Sequence, residues 1–269
     1  MKVCIIGCGN MGLIYAQLIL KSMKNAEDQL ILIAKNESRK KELMEKKLGC
    51  VKVIHTSEVS KADIILLAVK PQDFVSLSEK LKDRIKNDAL IISIMAGINI
   101  SLIEQCLNHS SIIRAMPNAP SLFGKGITVY YSNQQASSEL LQKGLFVLEL
   151  TGKTLRASNE ALLDSVTAIS GSGPAYFFYL TLLMKDAAIK LGMEEEMAEI
   201  LVRETLIGSA EMALNLHQPM DELIKRIASK GGTTEAALKH FEENSMNKIV
   251  ADALKKATKR SIELAKINH

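Results

Sequence analysis

The chain carries little that would bind a metal, pair into disulfides or act as a general base. Its four cysteines, Cys4, Cys8, Cys50 and Cys106, show neither CxxC nor metal-ligand spacing, so reduced structural thiols in a cytoplasm are expected and no metal is. The five histidines, His55, His109, His217, His240 and His269, are scattered, and none stands beside a motif that would use it as a base. HExxH and GxSxG are absent, which removes the metalloprotease and serine-hydrolase readings. No apolar run reaches the roughly 20 residues that a membrane span needs. The N-terminal apolar stretch is broken by Gly7, Gly9 and Gly12, unlike that of a signal peptide. Neither sign of charge dominates, since 34 Lys and Arg face 30 Asp and Glu, and the lysines are dispersed rather than stacked into a stripe. A cytoplasmic protein with neither membrane nor nucleic acid as partner is expected, its mild positive field suiting small anions.

What is present is alternation. Val3–Ile6, Leu30–Ala34, Val51–Ile54, Ile64–Val69, Leu90–Ile94 and Ile112–Met116 read as strands, with Ile127–Tyr131 and Thr154–Leu155 as late or edge strands. Met11–Met23, Ser38–Leu48, Phe74–Ile85 and Ile100–Cys106 read as helices between them. Continuous runs such as Ile64–Val69 fit strands buried on both faces of a parallel sheet. After Asn159 the strand signals stop, and Pro174–Leu191, Glu194–Leu216, Met220–Ile227, Thr234–Glu243 and Asn247–Lys266 read as helices punctuated by Gly192, Pro219 and Gly231-Gly232. The expected fold is α/β: an N-terminal doubly wound (Rossmann-type) parallel sheet over residues 1–158, then an all-helical domain over 159–269. The helix over 194–216 carries Leu201, Val202, Leu206, Ile207, Met212 and Leu214. Apolar surface of that extent is commonly buried against a second copy.

Chemistry is concentrated in a few motifs. Gly7-Cys8-Gly9-Asn10-Met11-Gly12 follows a strand and opens a helix, the context in which GxGxxG binds a dinucleotide. At the end of the second strand, Lys35, Ser38 and Arg39 favour a 2′-phosphate and hence NADP; Asn36 lies among them, and Glu37 opposes. Ala68-Val69-Lys70-Pro71, Met95-Ala96-Gly97 and Arg114–Pro120, with Asn118, each lie at the carboxyl end of a strand, the edge that lines the ligand crevice. Two Gly/Ser/Thr clusters, Ala168–Tyr176 and Lys230–Leu238, run straight into helical patterns. Helix starts of this kind, with Pro174 at the first position of one and Thr234 capping the other, hold small anions such as carboxylates. Asp164 reads as a helix or turn residue rather than a catalytic acid. Hydride transfer to an already electrophilic C=N needs no strong protein acid or base, because the cofactor supplies the reaction.

These motifs, in this order over essentially the whole chain, resemble pyrroline-5-carboxylate reductases. Gly7–Gly12, Ala68–Pro71, Met116-Pro117-Asn118, Asp164–Tyr176 and Gly231–Thr234 carry the resemblance. It implies reduction of 1-pyrroline-5-carboxylate to L-proline with NADPH or NADH, and a helical domain that interleaves into a homodimer, in some members assembled into a decamer. It also implies that Ser229, Gly232, Thr233 and Thr234 hold the substrate carboxylate, with Thr234 hydrogen-bonding the ring nitrogen as the catalytic residue. The chain departs from the family at three places. Lys230 replaces a usual Pro, Glu37 stands where Arg is common, and the Asn often found near position 55 is not evident around His55-Thr56-Ser57. Two other readings compete. A β-hydroxyacid dehydrogenase would want a lysine early in the helix after the Ser/Gly loop, where the first is Lys185; a non-catalytic NADP-sensing protein would keep the fold alone.

Overall fold

The computed structural model describes residues 1–46, 48, 50–53, 57–133 and 136–267, without the side chains of residues 50–53, 57 and 265–267. Ile54, His55, Thr56 and His269, on which parts of the reading above fall, lie outside the described residues.

Eight strands form one sheet: Lys2–Ile6 (β1), Gln29–Ala34 (β2), Cys50–Val53 (β3), Ile64–Leu67 (β4), Leu90–Ser93 (β5), Ile112–Met116 (β6), Gly126–Ser132 (β7) and Gly152–Arg156 (β8). Their order is β3-β2-β1-β4-β5-β6-β7-β8. The first six are parallel, with Val3 set against both Leu30 and Ile64. Strand β7 runs antiparallel to β6, and β8 parallel to β7. Alternate residues of β1 point to opposite faces. Val3 and Ile5 pack with Tyr15, Leu32 and Leu66 on one side; Cys4 and Ile6 pack with Ile33, Ile65 and Phe74 on the other. Because both faces are covered, all four residues of β4 are buried. Burial on both faces is why these strands read as unbroken apolar runs.

The helices of this layer are Asn10–Ser22 (α1), Glu37–Glu45 (α2), Phe74–Leu81 (α3), Ile100–Leu107 (α4) and Ser138–Glu149 (α5). Helix α3 stops four residues short of the expected Ile85, since Asp83 takes a left-handed φ of 62°. No helix was expected over 138–149. Ser137 caps α5 by accepting from the Leu140 N–H, and Gly144 lets it press on the Leu90 and Ile113 side chains. Beyond β8, Leu162–Val166 (α6) runs into a π-turn over Thr167–Gly171, closed by the Ser172 N–H on the Thr167 carbonyl at 2.9 Å. The first Gly/Ser cluster is therefore already wound and is not the open helix start expected for it. A wider turn of this kind relaxes the helical pitch, so it fits a Gly/Ser-rich stretch.

The remaining helices are Gly173–Lys190 (α7), Glu195–Leu216 (α8), Met220–Ile227 (α9), Thr233–Glu243 (α10) and Met246–Ile267 (α11). Pro174 is the second residue of α7, one place on from the expected first position, where its missing N–H still costs nothing. The chain forms two compact units: Met1–Ser172 with Lys255 onward, and Gly173–Leu254. That division differs from one at 158/159, because residues up to Ser172 and those from Lys255 onward group with the sheet-bearing unit, where Ser261 donates to Asp164. In the second unit few apolar side chains are buried, Ala198, Val202 and Leu223 among them, while Phe177, Phe178 and Tyr179 are more than 60% exposed. A layer with so small a core does not offset its own ordering entropy without further burial.

Candidate active site

The glycine turn is shaped by three different demands. Gly7, at a φ of 101°, lets the end of β1 close on the segment after β4; a Cβ there would stand 2.5 Å from the Ala68 carbonyl carbon and the Val69 nitrogen. At Gly12 a Cβ would collide with the Gly7 carbonyl oxygen, so this glycine lets α1 pack on the turn. Gly9 is different. Its φ is an ordinary −77° and a Cβ would meet nothing within 4 Å. The protein's own packing does not require glycine at 9, and the space in front of it is open. Helix α1 has no side-chain cap, and its first intrahelical bond is donated by Leu13 to the Gly9 carbonyl. The N–H groups of Asn10, Met11 and Gly12 precede that bond and suit a phosphate. The residues present thus fit a dinucleotide.

A cleft of about 510 Å³ opens from this turn across the carboxyl ends of β1, β2 and β4. Gly7, Cys8 and Gly9 line it with Lys35, Asn36, Ala68, Val69 and Lys70. Burial pushes the Cys8 thiol up to about 11, against the opposing pull of Arg39. The Arg39 guanidinium donates to the Cys8 carbonyl at 2.6 Å and pairs with Glu42. Asn36 also spends its side chain locally, its Oδ1 capping α2 by accepting the Arg39 N–H at 2.9 Å. Glu37 does not line the cleft and is paired with Lys40 at 3.1 Å. Arg39, Asp73, Ser76 and Lys80 complete the wall. The last three were missed as site residues, although Asp73, Ser76, Leu77 and Lys80 fall at i, i+3, i+4 and i+7, one stripe of a helix.

Other expected cofactor residues lie outside this cleft. Pro71 opens the short turn before α3. Met95, Ala96 and Gly97 follow β5, with Met95 buried and Gly97 at a φ of 75°. Asn118 follows β6, and its Oδ1 accepts the Ile127 N–H at 2.9 Å, tying down the start of β7. All share the carboxyl edge of the parallel strands.

In the second unit, Gly231 (φ 73°) and Gly232 bring the chain into α10. The cap is Gly232, not Thr234, which is the second helical residue. A Cβ on Gly232 would stand 2.6 Å from the Ser229 hydroxyl. The Gly232 N–H is committed to the Ser229 carbonyl, and the Gly231 N–H to the Glu235 carboxylate at 2.6 Å. The first intrahelical bond comes from Ala236. The N–H groups of Thr233, Thr234 and Glu235 precede it and have no partner within the helix. Lys185, the first lysine of α7 and several turns past the start where a β-hydroxyacid dehydrogenase would want one, is paired with Glu195 at 3.1 Å and Glu199 at 3.4 Å. Asp164 serves a buried arginine, Arg114. The buried His109 ring holds the Ala89 carbonyl at 2.8 Å. Among the described residues, no trio of His, Cys, Asp or Glu is placed to hold a metal, and no helix is long and apolar enough to cross a membrane.

A doubly wound sheet with a glycine turn open to a phosphate at the end of its first strand defines a dinucleotide-binding protein. Residues 2–97 match the family described as NADP oxidoreductase, coenzyme F420-dependent, and residues 160–264 match pyrroline-5-carboxylate reductase dimerisation. The chain is 41% identical to a pyrroline-5-carboxylate reductase of Pseudomonas aeruginosa over 77% of its own length and 76% of that protein's. It is also similar to the solved pyrroline-5-carboxylate reductase of Coxiella burnetii, at 31% identity, 98% coverage of both chains and a TM-score of 0.87. The Plasmodium falciparum enzyme, solved with NADP bound, gives 29% identity, 98% coverage of both chains and a TM-score of 0.83. The chain belongs to the pyrroline-5-carboxylate reductase family.

Proposed function

We propose that this protein reduces 1-pyrroline-5-carboxylate to L-proline, the closing step of proline synthesis, with NADPH or NADH as hydride donor. The observation that carries this is family membership over nearly the full chain, joined to an intact glycine turn and an intact Ser229–Thr234 loop. Main-chain N–H groups of Asn10–Gly12, together with Gly9's open approach, hold the diphosphate. Lys35, Asn36, Ala68, Val69 and Lys70 line the rest of that path, and Met95–Gly97 and Asn118 border the nicotinamide end along the same sheet edge. Once held there, NAD(P)H would supply the hydride for C5 of the iminium, whose nitrogen takes up the C=N electron pair and already bears its proton.

The chain's own groups bind and orient. The N–H groups of Thr233, Thr234 and Glu235 take the substrate carboxylate, while Ser229 and Gly232 shape the turn that presents them. The Thr234 hydroxyl hydrogen-bonds the ring nitrogen and fixes the face presented to the hydride. No side-chain base is required, in keeping with the paired or structural roles found for His109, Asp164 and Lys185. A second copy of the chain covers the exposed apolar faces of α7 and α8, giving a homodimer that further assembles into a decamer in some arrangements of this family. Cys4, Cys8 and Cys106 are free thiols, which supports work in the cytoplasm. The test is to follow nicotinamide absorbance with pyrroline-5-carboxylate, using NADPH and NADH in parallel. Turnover is expected with at least one; binding without turnover would favour a sensing protein instead.

A further inference from the structure

The loop assigned to the substrate carboxylate is held from the helix that follows it. Residues 229–232 form a turn, in which the Gly232 N–H donates to the Ser229 carbonyl at 3.0 Å. Gly231, the third residue, has a φ of 73°, and Lys230, the second, does not share that left-handed backbone, so the turn is of type II. Its second position suits proline, whose ring sets φ near about −65°. Lys230 leaves that torsion free, and its N–H makes no hydrogen bond among the described residues. The turn therefore has little order of its own. A further restraint comes from Glu235, the third residue of α10, whose carboxylate accepts the Gly231 N–H at 2.6 Å. A glutamate at this helical position ordinarily reaches back to the N–H of the cap. Here the N–H of the cap, Gly232, is taken by Ser229, and the carboxylate reaches one residue further.

Glycine loses more conformational freedom on ordering than any other residue, so Gly231 is where this loop is easiest to lose. With its N–H tied to Glu235, the turn, the cap and the first turn of α10 form one closed ring of bonds. A loop ordered before its ligand arrives binds more tightly, because less freedom remains to be lost on binding. We infer that the Glu235 side chain is a positioning group for the substrate: acting through Gly231, it keeps the Ser229–Thr234 loop in the form that receives the substrate carboxylate. The inference rests on the reading of that loop as the carboxylate seat and concerns only what holds it. A loose carboxylate beside the seat would repel an incoming one. Bonded to Gly231, Glu235 spends its charge on the loop instead.

Two measurements on the full chain test this together: steady-state kinetics with pyrroline-5-carboxylate, and amide exchange over residues 229–235 in the unliganded protein. Glu235→Ala is expected to raise the KM for the imino acid by roughly three- to tenfold, the scale of one hydrogen bond. Its kcat and its KM for the nicotinamide nucleotide should stay within about twofold. Exchange across the loop should quicken at least about threefold in the same variant. Glu235→Gln keeps an oxygen for the Gly231 N–H and should restore both readouts to within about twofold of wild type. Lys230→Pro suits the second position of the turn and forfeits no hydrogen bond, so adding it to Glu235→Ala should recover most of the lost KM. An unchanged KM in Glu235→Ala would overturn the inference, as would equal rises in KM for both reactants. So would a Glu235→Gln as impaired as Glu235→Ala, or a double variant no better than the single one. A wild type that turns over no pyrroline-5-carboxylate would instead bring down the reading of the loop, and the exchange data would still decide whether Glu235 orders it.

Discussion

Arg114 donates to the Asp164 carboxylate at 3.3 Å from a position 3% exposed, and the same oxygen receives the Ser261 hydroxyl at 2.8 Å. Arg114 also meets Glu160 at 3.1 Å, whose carboxylate accepts the Ile100 N–H at 2.8 Å. One buried cation thus fastens β6 to α4, α6 and the end of α11. Removing one partner of such a cluster costs about 3–5 kcal/mol, because the remaining charges stay buried without compensation. Arg114→Met is expected to lose that much in urea denaturation. A loss below about 1 kcal/mol would show that the cluster does not hold these elements together.

The last two glycines of the turn, Gly9 and Gly12, should separate stability from binding. Gly12→Ala forces a Cβ onto the Gly7 carbonyl and is expected to cost about 1–3 kcal/mol, as overpacking does. Gly9→Ala meets open space, so its stability should stay within about 0.5 kcal/mol of wild type. It should nonetheless weaken NADPH binding at least tenfold, by roughly 1.4 kcal/mol or more, since the methyl fills the phosphate's place. Thermal melts and nucleotide titrations on both variants would check the contrast.

Thr234 is the second residue of α10 and Gly232 is the cap, so the threonine hydroxyl has no capping duty. Thr234→Ala is therefore expected to change stability by less than about 0.5 kcal/mol. If the hydroxyl orients the ring nitrogen by accepting its N–H, kcat should fall by about a hundredfold, the scale of losing one oriented hydrogen-bond partner. NADPH affinity should stay within about twofold. Equal losses in turnover and in NADPH binding would remove the role assigned to Thr234.

Acid stability offers an independent reading of the sheet's amino-terminal edge. Burial pushes the Asp63 carboxyl up, but the Lys86 ammonium at 2.7 Å and the Lys2 N–H at 2.8 Å outweigh it and hold the group below the ordinary carboxylate range. A carboxylate with a lowered folded value contributes stability that is present above about pH 4 and is lost as pH falls through that folded value. Asp63→Asn should reduce stability at pH 7 and flatten the decline below pH 4. The check is a series of urea melts from pH 7 to pH 3, in which parallel curves for the two proteins would refute the assignment.

Most of the sheet was legible because β1, β2, β4 and β5 are buried on both faces, and such strands announce themselves as short apolar runs. Helix α5 was not, although Leu140, Leu141, Leu145 and Leu148 share one stripe, since Gly144 sits in its middle as a packing device that reads like a breaker. The π-turn before α7 was hidden for a related reason: Ser170, Gly171 and Ser172 look like a loop, and only hydrogen bonding to Thr167 and Val166 shows that they are wound. At the site, the glycine turn followed from spacing alone. The wall contributed by α3 did not, because Asp73, Ser76 and Lys80 are polar residues whose stripe resembles any solvated helix face. Thr234 was misplaced as a cap, a role that a glycine of ordinary extended conformation had taken two residues earlier.

The sheet-bearing unit is assembled from both extremities of the polypeptide, since α11 rejoins it from Lys255 onward. A ribosome adding about 5–20 residues per second completes β8 several seconds before Ser261 emerges. During that interval Asp164 lacks the hydroxyl it later accepts, and a nascent chain stalled at Ser172 is a product with an open seam. Shortening the protein from its carboxyl end is therefore a lesion in the nucleotide-binding half as much as in the helical one.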